Sequence, residues 1–142
     1  MAVEAAAVEH SAVVEPFVFE VRSIDNSIVL SVLPTIRDLV RVCGSVGSQA
    51  PLYAARFHET VARMLAEGAR IAARQRNIRR IALSGGCFAN RRLLARLIEL
   101  LEDDEFTVLY QRAVPCGDGG LALGQAFVAA WSAADSARAG RS

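Results

Sequence analysis

Between Arg80 and Leu101 the chain reads as a short apolar strand, a glycine-rich turn and an amphipathic helix. That succession restricts the fold more than any other feature of the sequence. Arg80-Ile81-Ala82-Leu83 is the strand and Ser84-Gly85-Gly86-Cys87-Phe88-Ala89 the turn. Asn90 to Leu101 is the helix, with Leu93, Leu94, Leu97, Ile98 and Leu101 spaced for one buried face. After an acidic exit, Glu102-Asp103-Asp104-Glu105, the pattern repeats. Phe106 to Tyr110 is a strand, Gln111 to Asp118 a loop containing Pro115 and Gly117, and Gly119 to Trp131 a helix of small residues. Strand–helix–strand–helix predicts two parallel strands covered by helices, because parallel neighbours need a crossover connection.

Upstream, Phe17, Phe19 and Val21 alternate within Pro16–Val21, Asp25-Asn26-Ser27 is turn chemistry, and Ile28–Val32 is a second apolar run. Together they predict a β-hairpin. Pro34 and Thr35 open a helix carrying Ile36, Leu39 and Val40, and Gly44–Ser48 breaks it. A long helix runs from about Pro51 to Gln75, with Phe57, Val61, Met64, Leu65, Gly68, Ile71 and Ala72 on one face. Arg56, Glu59, Arg63, Glu67, Arg70 and Arg74 read as its solvated face. The pairs Glu59–Arg63 and Glu67–Arg70 are there worth about 0.2–0.5 kcal/mol each. Arg76, Arg79 and Arg80 read as a solvated helix end. The expected fold is α/β: a small, mostly parallel sheet with an N-terminal β-hairpin and packed helices. It forms a single domain over residues 15–134, with loose ends at 1–14 and 135–142.

Composition narrows the class. With 53% hydrophobic and 22% charged residues, 142 residues can bury a core, which excludes disorder throughout. The net charge of +1 comes from 16 basic residues, all Arg, and 15 acidic ones. It supplies no field for nucleic acid or a membrane surface. No apolar run is long enough to span a bilayer, and the start has no basic segment ahead of its apolar residues. Cys43, Cys87 and Cys116 form no CxxC and no disulfide framework, which fits a reducing, cytoplasmic setting.

Three constellations could carry chemistry. Ser84-Gly85-Gly86, with Asn90 opening the next helix, lets a backbone approach a ligand closely and offers a helix N-terminus to a nucleotide. Alone, the triplet is a weak signal and reads as an ordinary tight connection. Asp118, in Pro115-Cys116-Gly117-Asp118-Gly119-Gly120, follows a strand end, where ligands of α/β sheets gather. It could hold a divalent cation through oxygen, although on the residues alone an N-cap aspartate is the commoner case. His58 is the one histidine inside the domain and the candidate catalytic residue, but a lone helical histidine more often serves structure. His10 lies in the tail. Cys87 and Cys116 read as small thiols without a catalytic partner.

Three runs are far more specific together than singly: RFH at Arg56–His58, LSGGCFANRRLL at Leu83–Leu94, and VPCGDGGLALGQA at Val114–Ala126. Through them the chain, over roughly residues 16–132, resembles the carboxyl-terminal part of the carbamoyltransferase of NiFe-hydrogenase maturation, the HypF family. The resemblance implies the second lobe of a Kae1-like domain of the sugar-kinase/actin/Hsp70 type (ASKHA). It implies ATP and carbamoyl-adenylate as ligands, with Ser84, Gly85, Gly86, Asn90 and Gly119 lining the nucleotide site. Asp118 would join two histidines around a divalent metal (Fe, Zn or Mg), and the carbamoyl group would pass to the terminal cysteine of a HypE-like acceptor. Two departures stand out: Gly117 where the family usually has Asn, and Cys116 where it usually has Pro. The histidine pair belongs to an earlier lobe that this sequence does not contain.

The expectation is therefore half of a carbamoyltransferase site. It would need a chain carrying the missing lobe, or a second copy of itself, and would be inactive alone. The alternative is a free-standing, non-catalytic nucleotide-binding or interaction module of the same descent.

Overall fold

The computed structural model describes residues 14–25, 27–42 and 49–139. The expected tail over 1–13, Asn26 of the turn, Cys43, the break at 44–48 and residues 140–142 lie outside them. The elements are β1 (Glu20–Ile24), β2 (Ser27–Ser31), α1 (Leu33–Val42), α2 (Ala50–Arg76), β3 (Arg80–Leu83), α3 (Arg91–Asp103), β4 (Thr107–Tyr110) and α4 (Leu121–Ala139). Single 3-10 turns at Gly86–Ala89 and Asp118–Gly120 precede α3 and α4. The α/β class holds, but the strands divide into two two-stranded sheets rather than one.

The hairpin is antiparallel, with Glu20 opposite Ser31 and Ile24 opposite Ser27. Asp25, at φ 47°, takes the left-handed conformation that such a turn requires. The first strand begins at Glu20, four residues later than the alternation from Pro16 suggests. The reason is visible in the main chain before it. The Phe17 N–H donates to Thr60 Oγ1 at 2.8 Å, Thr35 Oγ1 donates to the Val18 carbonyl at 2.8 Å, and Arg56 Nε donates to the Glu15 carbonyl at 2.9 Å. Side chains of α1 and α2 thus satisfy polar groups that a ladder would otherwise take. The Arg56 guanidinium also lies 4.1 Å from the centre of the Phe17 ring. Val14, placed with the loose end by the sequence pattern, packs against Ala54 and Ala55.

Helix α2 is the spine. Pro51 sits in its first turn, and Asn77, at φ 52°, closes it with its N–H on the Ala73 carbonyl. Its most buried positions include Ala55, Ala62 and Ala66 rather than Phe57, Val61 or Leu65. Short side chains let α3 come close, and interaxial distance follows side-chain size. Leu93, Leu97, Leu100 and Leu101 are the buried residues of α3. Each fully buried leucine contributes about 1.5–3 kcal/mol.

The expected solvated face of α2 is the largest correction. Glu59 is buried, at 6% exposure, and it bridges two helices. Arg96 of α3 donates twice to its carboxylate, at 2.7 and 2.9 Å, and Arg63 donates at 2.5 Å. Burial pushes the Glu59 carboxyl up, but the guanidinium hydrogen bonds outweigh that and hold it below the ordinary value of 4.5. Arg70, also expected in solvent, pairs with Asp104 as well as Glu67. Burial pushes the Arg70 guanidinium down, but its hydrogen bonds to Asp104 and Glu67 together outweigh that and hold it above its ordinary value.

The described residues cluster into two compact units. The first holds those up to Ala82 together with Asn90–Leu109; the second holds Leu83–Ala89 and those from Tyr110 onward. The chain enters the second unit at Leu83 and at Tyr110, the last residues of β3 and β4. Helix α4 continues to Ala139, past the expected end of the domain at 134.

Replacing Glu59 by Ala leaves Arg96 without its bidentate partner, and we expect a loss of about 2 kcal/mol in urea unfolding. The carboxyl's depressed folded-state value means that its contribution is present above about pH 4.5 and is lost as pH falls further. Glu59→Gln is expected to flatten stability against pH in that acid range; an unchanged acid limb contradicts the assignment.

Candidate functional site

The two loops at the ends of β3 and β4 meet in the second unit. The Gly85 N–H donates to the Cys116 carbonyl at 2.8 Å, which ties the glycine turn to the Pro115–Gly120 segment. The turn then closes on itself, with the Phe88 N–H on the Gly85 carbonyl at 3.1 Å. Gly85 has φ 112°, a conformation that side-chain-bearing residues rarely adopt. The partner loop closes through the Gly120 N–H on the Gly117 carbonyl at 2.9 Å. A Cβ on Gly120 would lie 2.5 Å from the Pro115 carbonyl oxygen, so only glycine fits there. A Cβ on Gly117 would meet Gly86 Cα at 3.4 Å, so the two loops run against each other at the backbone.

A pocket of about 720 Å³ opens between these loops and α4. Ser84, Gly85 and Gly86 line it on one side and Asp118 on another, with Gln111 and Gln125 contributing amides. Its volume is in the range of small-molecule and cofactor sites. Ser84, Gly86 and Asp118 are exposed to it rather than packed away. A backbone without side chains beside a carboxylate can admit a phosphate chain closely and hold a cation against it.

The sequence-derived site residues are thus divided. Ser84, Gly85, Gly86 and Asp118 are brought together, whereas Gly119 does not line the pocket and instead faces Pro115. Asn90 and His58 belong to the first unit and are bonded to each other. Asn90 Oδ1 accepts from the Leu93 N–H at 3.0 Å, which makes it the N-cap of α3. Its amide nitrogen lies 2.7 Å from His58 Nε2, while His58 Nδ1 lies 2.8 Å from the Ala54 carbonyl. A carbonyl can only accept, so the proton sits on Nδ1, and Nε2 accepts from Asn90. Buried at 5% exposure with both ring nitrogens engaged, His58 ties α2 to the start of α3. Gln111 and Gln125 were not singled out by sequence reasoning, because an isolated glutamine carries no spacing signal; only the folded loop and helix bring them to one wall.

Asp118 supplies a single oxygen donor. Among the described residues no three His, Cys, Asp or Glu side chains cluster around a common point. The described side chains therefore do not complete a metal site.

The chain matches the family model described as the carbamoyltransferase, Kae1-like domain, second subdomain, over residues 1–125. It is 46% identical over 82 residues to the carbamoyltransferase HypF homolog of Cupriavidus necator, covering 58% of this chain and 21% of that one. It is 38% identical over 86 residues to the carbamoyltransferase HypF of Rhodobacter capsulatus, covering 61% of this chain and 11% of that one. The crystal structure of full-length HypF in its phosphate- and nucleotide-bound form superposes with a TM-score of 0.76 at 32% identity, over 89% of this chain and 16% of the other. The HypF of T. kodakarensis superposes with a TM-score of 0.67 at 26% identity, over 90% of this chain and 16% of the other. This chain therefore spans about a fifth or less of the length of these relatives.

Two substitutions separate loop architecture from loop surface. Gly120→Ala drives a methyl into the Pro115 carbonyl and is expected to cost about 1–3 kcal/mol, read by amide exchange over residues 110–120. Gly86→Ala meets nothing within 4 Å and is expected to leave exchange there unchanged. In the first unit, Asn90→Ala removes the cap and the histidine's partner, for about 1–2 kcal/mol. Asn90→Ser should recover most of the cap; a Ser variant as unstable as Ala contradicts the capping role.

Proposed function

The chain belongs to this family, the second subdomain of the carbamoyltransferase Kae1-like domain, and from that premise we propose that it is the nucleotide-side half of a carbamoyl-transfer site. The pocket takes the phosphate chain of ATP or carbamoyl-adenylate against Gly85 and Gly86. Asp118 offers one oxygen to the divalent cation that accompanies those phosphates. The remaining ligands come from the lobe that completes the domain, carried on another chain or another segment. The full reaction passes the carbamoyl group of carbamoyl-adenylate, made from carbamoyl phosphate and ATP, to the terminal cysteine sulfur of a HypE-like acceptor, with AMP leaving. The observation that supports this reading is the Gly85–Cys116 backbone bond, which sets two side-chain-free residues beside Asp118 on one pocket.

His58, the candidate catalytic residue of the sequence, has both ring nitrogens engaged in internal hydrogen bonds, which supports a structural role instead. Asn90 likewise spends its carboxamide oxygen on the helix cap, which supports leaving it out of the nucleotide set. No helix among the described residues is long and apolar enough to cross a membrane. A cytoplasmic location, where ATP and carbamoyl phosphate are available, completes the proposal. The lone donor at Asp118 favours a second reading, a nucleotide-binding module without catalysis of its own, for the chain in isolation.

Calorimetric titration with ATP and Mg²⁺ tests both readings. The chain alone is expected to bind ATP and to transfer no carbamoyl group; adding a polypeptide that carries the first lobe should restore transfer. Gly86→Ala should weaken ATP binding by roughly tenfold, about 1.4 kcal/mol, at unchanged Tm. Asp118→Ala should remove the Mg²⁺ dependence of binding. Absence of any heat with ATP overturns the nucleotide reading, and transfer by the isolated chain overturns the assignment of half a site.

A further inference from the structure

A second cavity, of about 380 Å³, lies wholly within the first unit and shares no lining residue with the pocket described above. Its walls come from the last turns of α2 and from the residues just before β3 and β4. Arg70 and Arg74 stand one turn apart on α2 and both line it. Asn77, at φ 52°, then reverses the chain, and the Ile78 N–H bonds back to the Ala73 carbonyl at 3.0 Å. That return brings Arg79 to the same cavity, where its carbonyl accepts from the Thr107 N–H at 2.9 Å. Glu105, at φ 63°, makes the matching reversal after α3, and Phe106 follows it into the wall.

The charges around this cavity do not balance. Three guanidinium groups line it, and the one carboxylate among its lining residues is Asp104. Asp104 is spent on Arg70, which Glu67 also engages, so Arg70 is neutralised and held in place. Arg74 and Arg79 are exposed, and among the described residues neither side chain meets a carboxylate. The negative end of the α2 dipole favours Arg74 and Arg76 in the last turn. It gives no reason for Arg79, which lies beyond the helix and is turned back onto the same cavity. Two like charges facing one cavity repel, and an anion between them removes that cost. Beside them stands apolar surface: Ile78 is 44% exposed and Phe106 is half-buried.

We propose that this cavity is a binding site for a small phosphate monoester. Arg74 and Arg79 grip the dianionic head, Arg70 clamped by Asp104 forms a fixed floor, and Ile78 with Phe106 accept the apolar body of the ester. Guanidinium forks match phosphate oxygens in pairs, whereas a single carboxylate leaves one of the two forks unmatched. The volume is at the small end of ligand sites, which suits a compact ester. The site is independent of the nucleotide reading, because it uses none of the residues of the two loops.

The test follows backbone amide shifts of the full labelled chain at constant ionic strength, with inorganic phosphate, phenyl phosphate and acetate as probes. Saturable shifts are expected at Ile78, Arg79 and Phe106. Phenyl phosphate should bind at least threefold more tightly than inorganic phosphate, and acetate at least tenfold more weakly. Arg74→Gln and Arg79→Gln should each lower phenyl phosphate affinity tenfold or more at unchanged Tm. Arg76→Gln removes an exposed neighbouring charge that does not line the cavity, and should change affinity less than twofold. A loss in Arg76→Gln equal to that in Arg74→Gln means diffuse attraction to a basic helix end and overturns the site. Acetate matching phosphate, phenyl phosphate binding no tighter than phosphate, or shifts confined to Ser84–Gly86 and Gly117–Gly120 each overturn it as well.

Discussion

One backbone hydrogen bond, from the Gly85 N–H to the Cys116 carbonyl, decides what the two loops can be. Without it, the glycine turn after β3 and the acidic loop after β4 are separate connections, each an ordinary way to enter a helix. With it, Gly86 and Gly117 press together at the backbone, and their neighbours Ser84 and Asp118 open onto one pocket. The constraint runs back to residue choice. Gly120 must lack a side chain because the Pro115 carbonyl occupies its place, and Gly85 must tolerate a positive φ. A side chain at either position disturbs the turn before it touches a ligand.

The first unit does a different job with different physics. It holds α3 and the segment before β1 against α2 through polar contacts buried among small side chains. Thr60 Oγ1 accepts from Phe17 and donates to the Arg56 carbonyl, Glu59 receives two arginines, and Asn90 both caps α3 and engages His58. Among the described residues no buried side-chain polar atom is left without a partner. Such a network is stabilising while complete and costly once one member is removed, since the low-polarity interior penalises the remainder. It sets where α3 begins, at Arg91 directly after the Asn90 cap.

The strand–turn–helix succession over 80–101 and its partner over 106–131 are legible in the sequence because each is local: apolar runs of strand length, glycines between, and leucines at helical spacing. The motifs at Leu83–Leu94 and Val114–Ala126 carry the family as well as the loops. What local pattern hides is where a polar residue finds its partner. Glu59 and Arg56 look like solvent-facing charges of an amphipathic helix, yet one is buried against Arg96 and the other clamps residues 15–17. The alternation at Phe17 and Phe19 looks like a strand, but Thr60 and Thr35 take the main-chain bonds that a strand would need. His58 and Asn90 look like site residues and are a helix tie; Gln111 and Gln125 carry no signal until a loop and a helix face meet.

The account turns on whether the pocket between the two loops and α4, rather than the His58–Asn90 region, is where this chain meets a nucleotide. Backbone amide chemical shifts of the labelled chain, followed as ATP and Mg²⁺ are added, ask this residue by residue. The account predicts saturable shifts at Ser84–Gly86, Gly117–Gly120 and along the first turns of α4, with His58 and Asn90 unmoved. Shifts centred on His58, Asn90 and the start of α3, with the two loops silent, would contradict it.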